Sequence, residues 1–356
     1  MSADDRARAA TARRVSPRSV IMVLGVTTGL VMAFLAIDLW RANGRLVVGD
    51  EVAGHIHAPD PVLGWRLKPD SACRHVRPGD FDVAYTIDSD GYRTGRPAAE
   101  DEPTITFYGD SYTFGHGVED NATFENVMAD RYLAPQVGVR NAGVNGYGLT
   151  QMYARFLEDV DGLRPGDVVV FSPTASDIER SVQDFVFPYA CAFARGEERI
   201  RVTHFPVFSN GGIEGIELRR TAWNRIKLLA LMAPSTRGLW QGIHRAFVSD
   251  TTADAVAMVG CARKAAECQG ARFALVFLPR VSECAKGQYD RDLSRFAFED
   301  IMSEFPSDKA ELAALRFDSD PHWNAAGHAV AARAVTKAMV ACGALDAAHL
   351  IADLDE

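Results

Sequence analysis

The sequence predicts an α/β protein built on a parallel β-sheet with helices on both faces. Three observations carry this. From about residue 102 onward, short apolar runs alternate with segments of helical spacing. The runs are punctuated by turn residues: Pro165-Gly166 precedes one, Pro173 follows it, and Pro279 ends another. The segments between them are long enough for the crossover helices that parallel strands require.

Thr104 to Tyr108 (T-I-T-F-Y) reads as the first buried strand. Residues 123 to 133 have helical spacing, 137 to 140 suit a second strand, and 149 to 160 a second helix. Asp167 to Phe171 (D-V-V-V-F) is the third strand, 252 to 268 a helix, Arg272 to Leu278 the fourth strand, and 324 to 342 a closing helix. Residues 180 to about 250 interrupt the rhythm. There I-R-V-T-H-F-P-V-F and I-E-G-I-E-L flank Asn210-Gly211-Gly212, which predicts a hairpin with a helical continuation. The insertion is expected over the sheet edge as a candidate lid. Upstream, V-L-G-W-R-L and F-D-V-A-Y-T-I-D suggest a β-rich lead-in closed by a D-S-D-G turn at 88 to 91. Residues 41 to about 60 read as a polar linker. The expected organisation is a leader at 1–18, a membrane helix at 19–40, linker and lead-in at 41–101, the α/β domain at 102–345, and a tail at 346–356.

The membrane helix rests on residues 19 to 37, which carry no charge. Nineteen helical residues reach roughly 28 Å, close to the hydrocarbon thickness of a bilayer. Arg6, Arg8, Arg13, Arg14 and Arg18 precede the run, which places the N-terminus in the cytoplasm and the remainder outside. A cleaved signal peptide is the rival reading, although no clean A-x-A site follows the run. Arg13-Arg14 has only a poor match to a twin-arginine signal.

The 356 residues include 38 Lys+Arg against 47 Asp+Glu, a formal net charge of −9. That balance, with no basic runs, argues against a nucleic-acid partner. With 47% hydrophobic and 24% charged residues, wholesale disorder is excluded. Six cysteines (Cys73, Cys191, Cys261, Cys268, Cys284, Cys342) all follow the apolar run, where disulfides can persist. Cys261 and Cys268 stand two helical turns apart, too far for a mutual bridge. No C-x-x-C occurs, so neither a zinc site nor a redox motif is supported, and no metal or cofactor is expected.

Two motifs carry chemistry. G-D-S-Y-T-F-G, Gly109 to Gly115, comes directly after the first core strand. A serine on a tight strand-to-helix turn stands at the crevice where open α/β sheets bind ligands. Its hydroxyl is a weak nucleophile unless a base lies within reach. D-S-D-P-H-W-N-A-A-G-H, Asp318 to His328, precedes the last helix and offers His322 as base with Asp320 to orient it. Asn324 in the same stretch suits the N-cap of that helix. A third stretch, N-A-G-V-N-G-Y-G from Asn141 to Gly148, has the glycines for close backbone approach to a ligand. His116 reads as a residue of a solvent-exposed loop, with the pocket lining as the alternative, and His328 as a helix residue. H-E-x-x-H, the Walker loop and G-x-S-x-G are absent, which removes metalloprotease, P-loop and α/β-hydrolase readings.

Serine first, with aspartate and histidine together near the C-terminus, resembles the SGNH/GDSL hydrolase family over about residues 102 to 342. The resemblance implies a flavodoxin-like three-layer α/β/α sandwich that hydrolyses or transfers esters without a cofactor. It implies Ser111 as nucleophile, His322 as general base and acid, and Asp320 as its orienter. The oxyanion hole would comprise the N–H groups of Ser111 and Gly143. Ser176, in P-T-A-S-D-I, stands where the family has an asparagine; its hydroxyl can donate but is shorter. D-P-H-W resembles the membrane-associated bacterial members acting on polysaccharide O-acetyl groups. This implies a single-pass inner-membrane protein with a periplasmic domain, acting on an acylated small molecule or polysaccharide. An O-acetyltransferase and a non-catalytic binding module on the same fold are the alternatives. The lead-in segments V-L-G-W-R-L-K-P and I-D-S-D-G-Y-R also resemble stretches that precede the core in such members, and packing against the core is their expected role.

Overall fold

The computed structural model describes residues 50–60, 63–180, 204–209, 212–217, 251–351 and 354, all within one compact unit. The expected membrane helix, Cys191 and most of the 180–250 insertion lie outside the described residues. Among the described residues, no helix is long and apolar enough to cross a membrane.

The described residues open with five short strands: β1 (Glu51–Gly54), β2 (His57–Asp60), β3 (Gly64–Leu67), β4 (Ser71–Arg77) and β5 (Phe81–Ile87). β1, β4 and β5 form an antiparallel sheet, and β2 pairs with β3. β5 alternates strictly, its odd-numbered residues from Phe81 to Ile87 buried and its even-numbered ones exposed, as a sheet with one wet face demands. The segment expected as linker therefore contains β1 and β2. Its polar composition hid them because β1 is mostly exposed.

The core elements come next: β6 (Thr104–Gly109), α1 (Ser111–Phe114), α2 (Phe124–Arg131), β7 (Gly138–Asn141), α3 (Leu149–Asp159), β8 (Val168–Ser172) and α4 (Asp177–Arg180). The hairpin β9 (His204–Ser209) and β10 (Gly212–Glu217) forms where expected, with Ser209 opposite Gly212. Then come α5 (Thr251–Cys268), β11 (Arg272–Phe277), α6 (Val281–Cys284), β12 (Glu299–Asp300), α7 (Lys309–Ala313) and α8 (Ala325–Ala341).

Five strands make one parallel sheet in the order β12-β11-β8-β6-β7. Counted along the chain this is 2-1-3-4-5, the doubly wound flavodoxin-like order. β8 is buried throughout because both its faces are covered. Val169 and Phe171 pack with Met152 and Phe156 of α3 and Met258 and Ala262 of α5. Val168 and Val170 pack on the other face with Met128 of α2 and Val335 and Met339 of α8. The sheet with its two helical layers is the predicted three-layer sandwich. The two-residue β12 has no sequence signal of its own. The five described cysteines are unpaired.

The lead-in joins the first of these cores through Ile56, Trp65, Tyr85 and Tyr92. Arg93 ties it down. Isolated bridges link Arg93 to Ile87 and to Asn141, and its guanidinium is fully buried.

Candidate active site

Ser111 stands just beyond the carboxyl end of β6. Asp110 caps the short helix α1, accepting the Tyr112 N–H at 2.8 Å. Gly109 is obligatory: a Cβ there would lie 1.8 Å from Thr113 Oγ1. Gly115 closes the turn in the left-handed region, at φ 78°. Arg93 staples the loop beyond this turn, donating to the carbonyls of Phe114, Gly115 (2.6 Å) and Val118 (2.5 Å) and pairing with Asp120 at 2.9 Å.

The loop 318–323 arrives from the far end of the chain. Asp80, in the β4–β5 turn, accepts the Asp318 N–H at 3.1 Å and the N–H and hydroxyl of Ser319. The Tyr112 hydroxyl donates to the Pro321 carbonyl at 2.9 Å. Trp323 is wholly buried against Phe305 and Tyr112. Asn324 caps α8 as predicted, accepting from Ala326 and Gly327.

These anchors bring His322 Nε2 to 2.7 Å from Ser111 Oγ. His322 Nδ1 and its backbone N–H both meet Asp320 Oδ1. A carboxylate on Nδ1 fixes that proton and leaves Nε2 to accept from the serine hydroxyl. Burial alone would raise the Asp320 carboxyl, but the hydrogen bond and charge of His322 hold it well below the usual carboxylate range. Asp320 Oδ2 is paired with Arg77 at the end of β4.

His116 differs from the loop reading. It is buried, its ring 4.6 Å from that of His322 and 5.2 Å from that of His75. Burial, then the neighbouring His322, keeps it well below the ordinary histidine range, so it is neutral. His116, Asp320 and His322 bring ligand-type atoms within 4.8 Å of one another. Both oxygens of Asp320 and both ring nitrogens of His322 are engaged in the hydrogen-bond chain.

The expected oxyanion donors fare unequally. Ser111, first in its helix, has an N–H with no acceptor among the described residues. Gly143 does not offer a donor: its N–H is taken by Asn141 Oδ1 at 2.9 Å. Glycine is needed there for packing, since a Cβ would lie 2.4 Å from Phe114 N. The Ser176 hydroxyl is engaged with Thr174 Oγ1 at 2.9 Å. In the same loop as Gly143, Gly146 (φ 84°) has an N–H without an acceptor among the described residues, and the Asn145 side chain is buried with both polar atoms unpartnered there. The sequence reading passed over Asn145 and Gly146; the Asn-Gly pair, a turn signal, is the mark by which this end of the loop could have been found. Nearby, Arg180 bridges Asp110 (3.0 Å) and Asp177 (2.7 Å); burial and then the Asp110 charge push Asp177 upward.

No protein-family profile matches this sequence, and no curated protein matches it. Among solved structures, a G-D-S-L-family lipolytic protein from Desulfitobacterium hafniense DCB-2 is similar at 13% identity and a TM-score of 0.36, covering 67% of this chain and 99% of its own. A member of the same family from Veillonella parvula DSM 2008 is similar at 11% identity and a TM-score of 0.36, covering 66% of this chain and 96% of its own.

Proposed function

We propose that this protein is a serine hydrolase of ester bonds. The observation that carries the reading is the continuous hydrogen-bond chain Ser111–His322–Asp320 at the carboxyl edge of the parallel sheet. Ser111 Oγ attacks the ester carbonyl as His322 Nε2 takes its proton, and the same proton passes to the leaving alcohol. Asp320 stabilises the imidazolium in between. The acyl-serine is then released by water activated on the same nitrogen. The Ser111 N–H is the first donor to the developing oxyanion.

The acyl donor we favour is an O-acyl or O-acetyl ester of a carbohydrate, supported by the resemblance of D-P-H-W to enzymes of polysaccharide O-acetyl groups. An O-acetyltransferase uses the same residues with a sugar hydroxyl in place of water. The apolar run at 19–37 supports a single-pass anchor with the α/β domain outside the cytoplasm.

The test is covalent labelling of the full-length chain with a fluorophosphonate, read by intact mass. Wild type gains one adduct, at Ser111, and Ser111→Ala gains none. A folded wild type that stays unlabelled sinks the hydrolase reading and moves weight to a binding module. Release of acetate from acetylated glycan, set against transfer to added oligosaccharide, separates water from sugar as acceptor.

A further inference from the structure

The two oxygens of Asp320 serve different partners. Oδ1 holds His322, and Oδ2 is paired with Arg77, 243 positions earlier in the chain. Arg77 in turn grips Asp50, its Nε and Nη2 each 2.7 Å from a carboxylate oxygen. His75 Nε2 lies 3.1 Å from the same Asp50. A single line of charge and hydrogen bonds therefore runs Asp50–Arg77–Asp320–His322–Ser111. We propose that Arg77 is a positioning residue for the reaction: it aims Asp320 at His322 and, by offsetting the aspartate charge, sets the pH at which the imidazole gives up its role as base. The inference rests on the serine-hydrolase reading.

The bidentate grip of Asp50 takes Nε and Nη2 of Arg77 and leaves Nη1 free to reach Asp320. Burying a second ion pair is by itself weak support for stability. What the second pairing does is place one positive charge behind the aspartate that faces the base. From the loop before α2 comes His116, and from β4 comes His75; burial lowers both, so they stay neutral near pH 7. Tyr112 of α1 is pushed upward by burial and stays neutral. Ser111 carries no charge. Asp50 is drawn below the usual carboxylate range, its hydrogen bonds from Arg77 and His75 outweighing burial. Among the described residues Asp320 touches the imidazole, with Arg77 behind it and Asp50 behind that, while Arg280, Asp110 and Glu283 act on the adjacent Tyr112.

Opposite removals give opposite signs. An anion near an imidazole favours its protonated form, and a cation disfavours it. In Arg77→Met the Asp320 charge acts unopposed, so the acid limb of the labelling rate moves to higher pH by about one unit. The maximal rate falls about 10- to 100-fold as Asp320 loses its aim. Arg77→Lys keeps the charge and returns the limb to its wild-type position. In Asp50→Asn the Arg77 charge is less shared, and the limb moves to lower pH.

The experiment measures the fluorophosphonate labelling rate against pH for full-length wild type and the three variants. A His-ring NMR titration of His322 accompanies it in each. Limbs displaced in opposite directions by Arg77→Met and Asp50→Asn, with Arg77→Lys restored, establish the proposal. A slower rate with unmoved limbs overturns it, because loss of structure alone lowers amplitude without choosing a sign. If Arg77→Met fails to fold, Asp50→Asn alone decides by its sign. If wild type takes no label, the hydrolase reading fails by itself. The NMR midpoints then still judge the charge relay: opposite displacements keep it, and coincident midpoints sink it.

Discussion

The parallel sheet and the antiparallel lead-in contribute to the same site in different ways. The parallel sheet presents reacting groups: Ser111 comes just after β6, and His322 sits just before α8. The lead-in presents groups that react with nothing and hold the others in place: Arg77 on Asp320, Asp80 on the 318–319 backbone, and the Tyr85 hydroxyl, which accepts the Gly117 N–H at 2.9 Å. The burial patterns match. β8 is dry on both faces and rigidly determined, while β5 keeps one face in water. The Ser111–His322–Asp320 geometry needs both, because a strand end fixes where a side chain starts but not how a distant loop is aimed.

The comparison breaks most sharply at the chemistry. Ser111→Ala should lower ester turnover by about 10⁴-fold or more with thermal melting almost unchanged, and Asp320→Asn by a comparable factor with melting lowered, because Arg77 loses a buried partner. Steady-state rates alongside a melting curve check both. If either variant keeps most of its rate, the division of labour is wrong at its root.

Arg93 probes the join between the regions. Arg93→Met removes a buried guanidinium from three carbonyls and Asp120, and should lower stability by about 3–5 kcal/mol, read from the urea midpoint.

Each region buries a second neutral histidine, beyond His75 and His116, and these two sharpen the contrast. Burial depresses His57 of β2 to about 4, and burial with the Arg93 charge depresses His328 of α8 to about 3. Both folded values lie below the unfolded one. The stability they contribute is therefore complete above about pH 6.5 and is lost as pH falls toward 4, at up to about 1.4 kcal/mol per unit for each. The two rings differ in use: His328 Nδ1 accepts the Phe124 N–H at 3.1 Å, whereas both His57 nitrogens lack partners among the described residues. His57→Phe should thus flatten the acid loss without lowering the neutral-pH melting temperature. His328→Phe should flatten it and lower that temperature. Melting curves at pH 4.5 and 7.5 distinguish them.

Smaller still is Asp80→Ala, which frees the 318–319 backbone and should slow turnover about tenfold, about 1.4 kcal/mol in the barrier, with little change in melting. At the bottom stands Arg74→Ala. Its ion pair with Asp82 is exposed to water on the wet face of the lead-in, and neither rate nor melting should move measurably.

Much of the parallel sheet was legible because strands dry on both faces are written as unbroken apolar runs, and each expected strand of the four lies within a residue or so of its observed bounds. The same cue was silent for β12, which is two residues long, and misleading for β1 and β2, whose residues read as polar linker. Ser111, Asp320 and His322 could be picked out because each sits in a dense local motif. Arg77 could not: its partner is 243 residues away, and nothing around R-H-V-R marks it. His116, between two glycines, looked like loop because its burial comes from His75 and Phe81, both in the lead-in. Gly143 was read for ligand approach when its missing Cβ makes room for the serine helix instead.

The separation of Ser111 from His322 by 211 positions has a consequence for biosynthesis. At about 5–20 residues per second, the ribosome needs roughly 10 to 40 s after making Ser111 to make His322. Throughout that interval the serine has no partner to take its proton. On the proposed mechanism a nascent chain of this design is chemically inert until the segment bearing His322 has been translated and docked, and a chain cut short before residue 322 stays so for good.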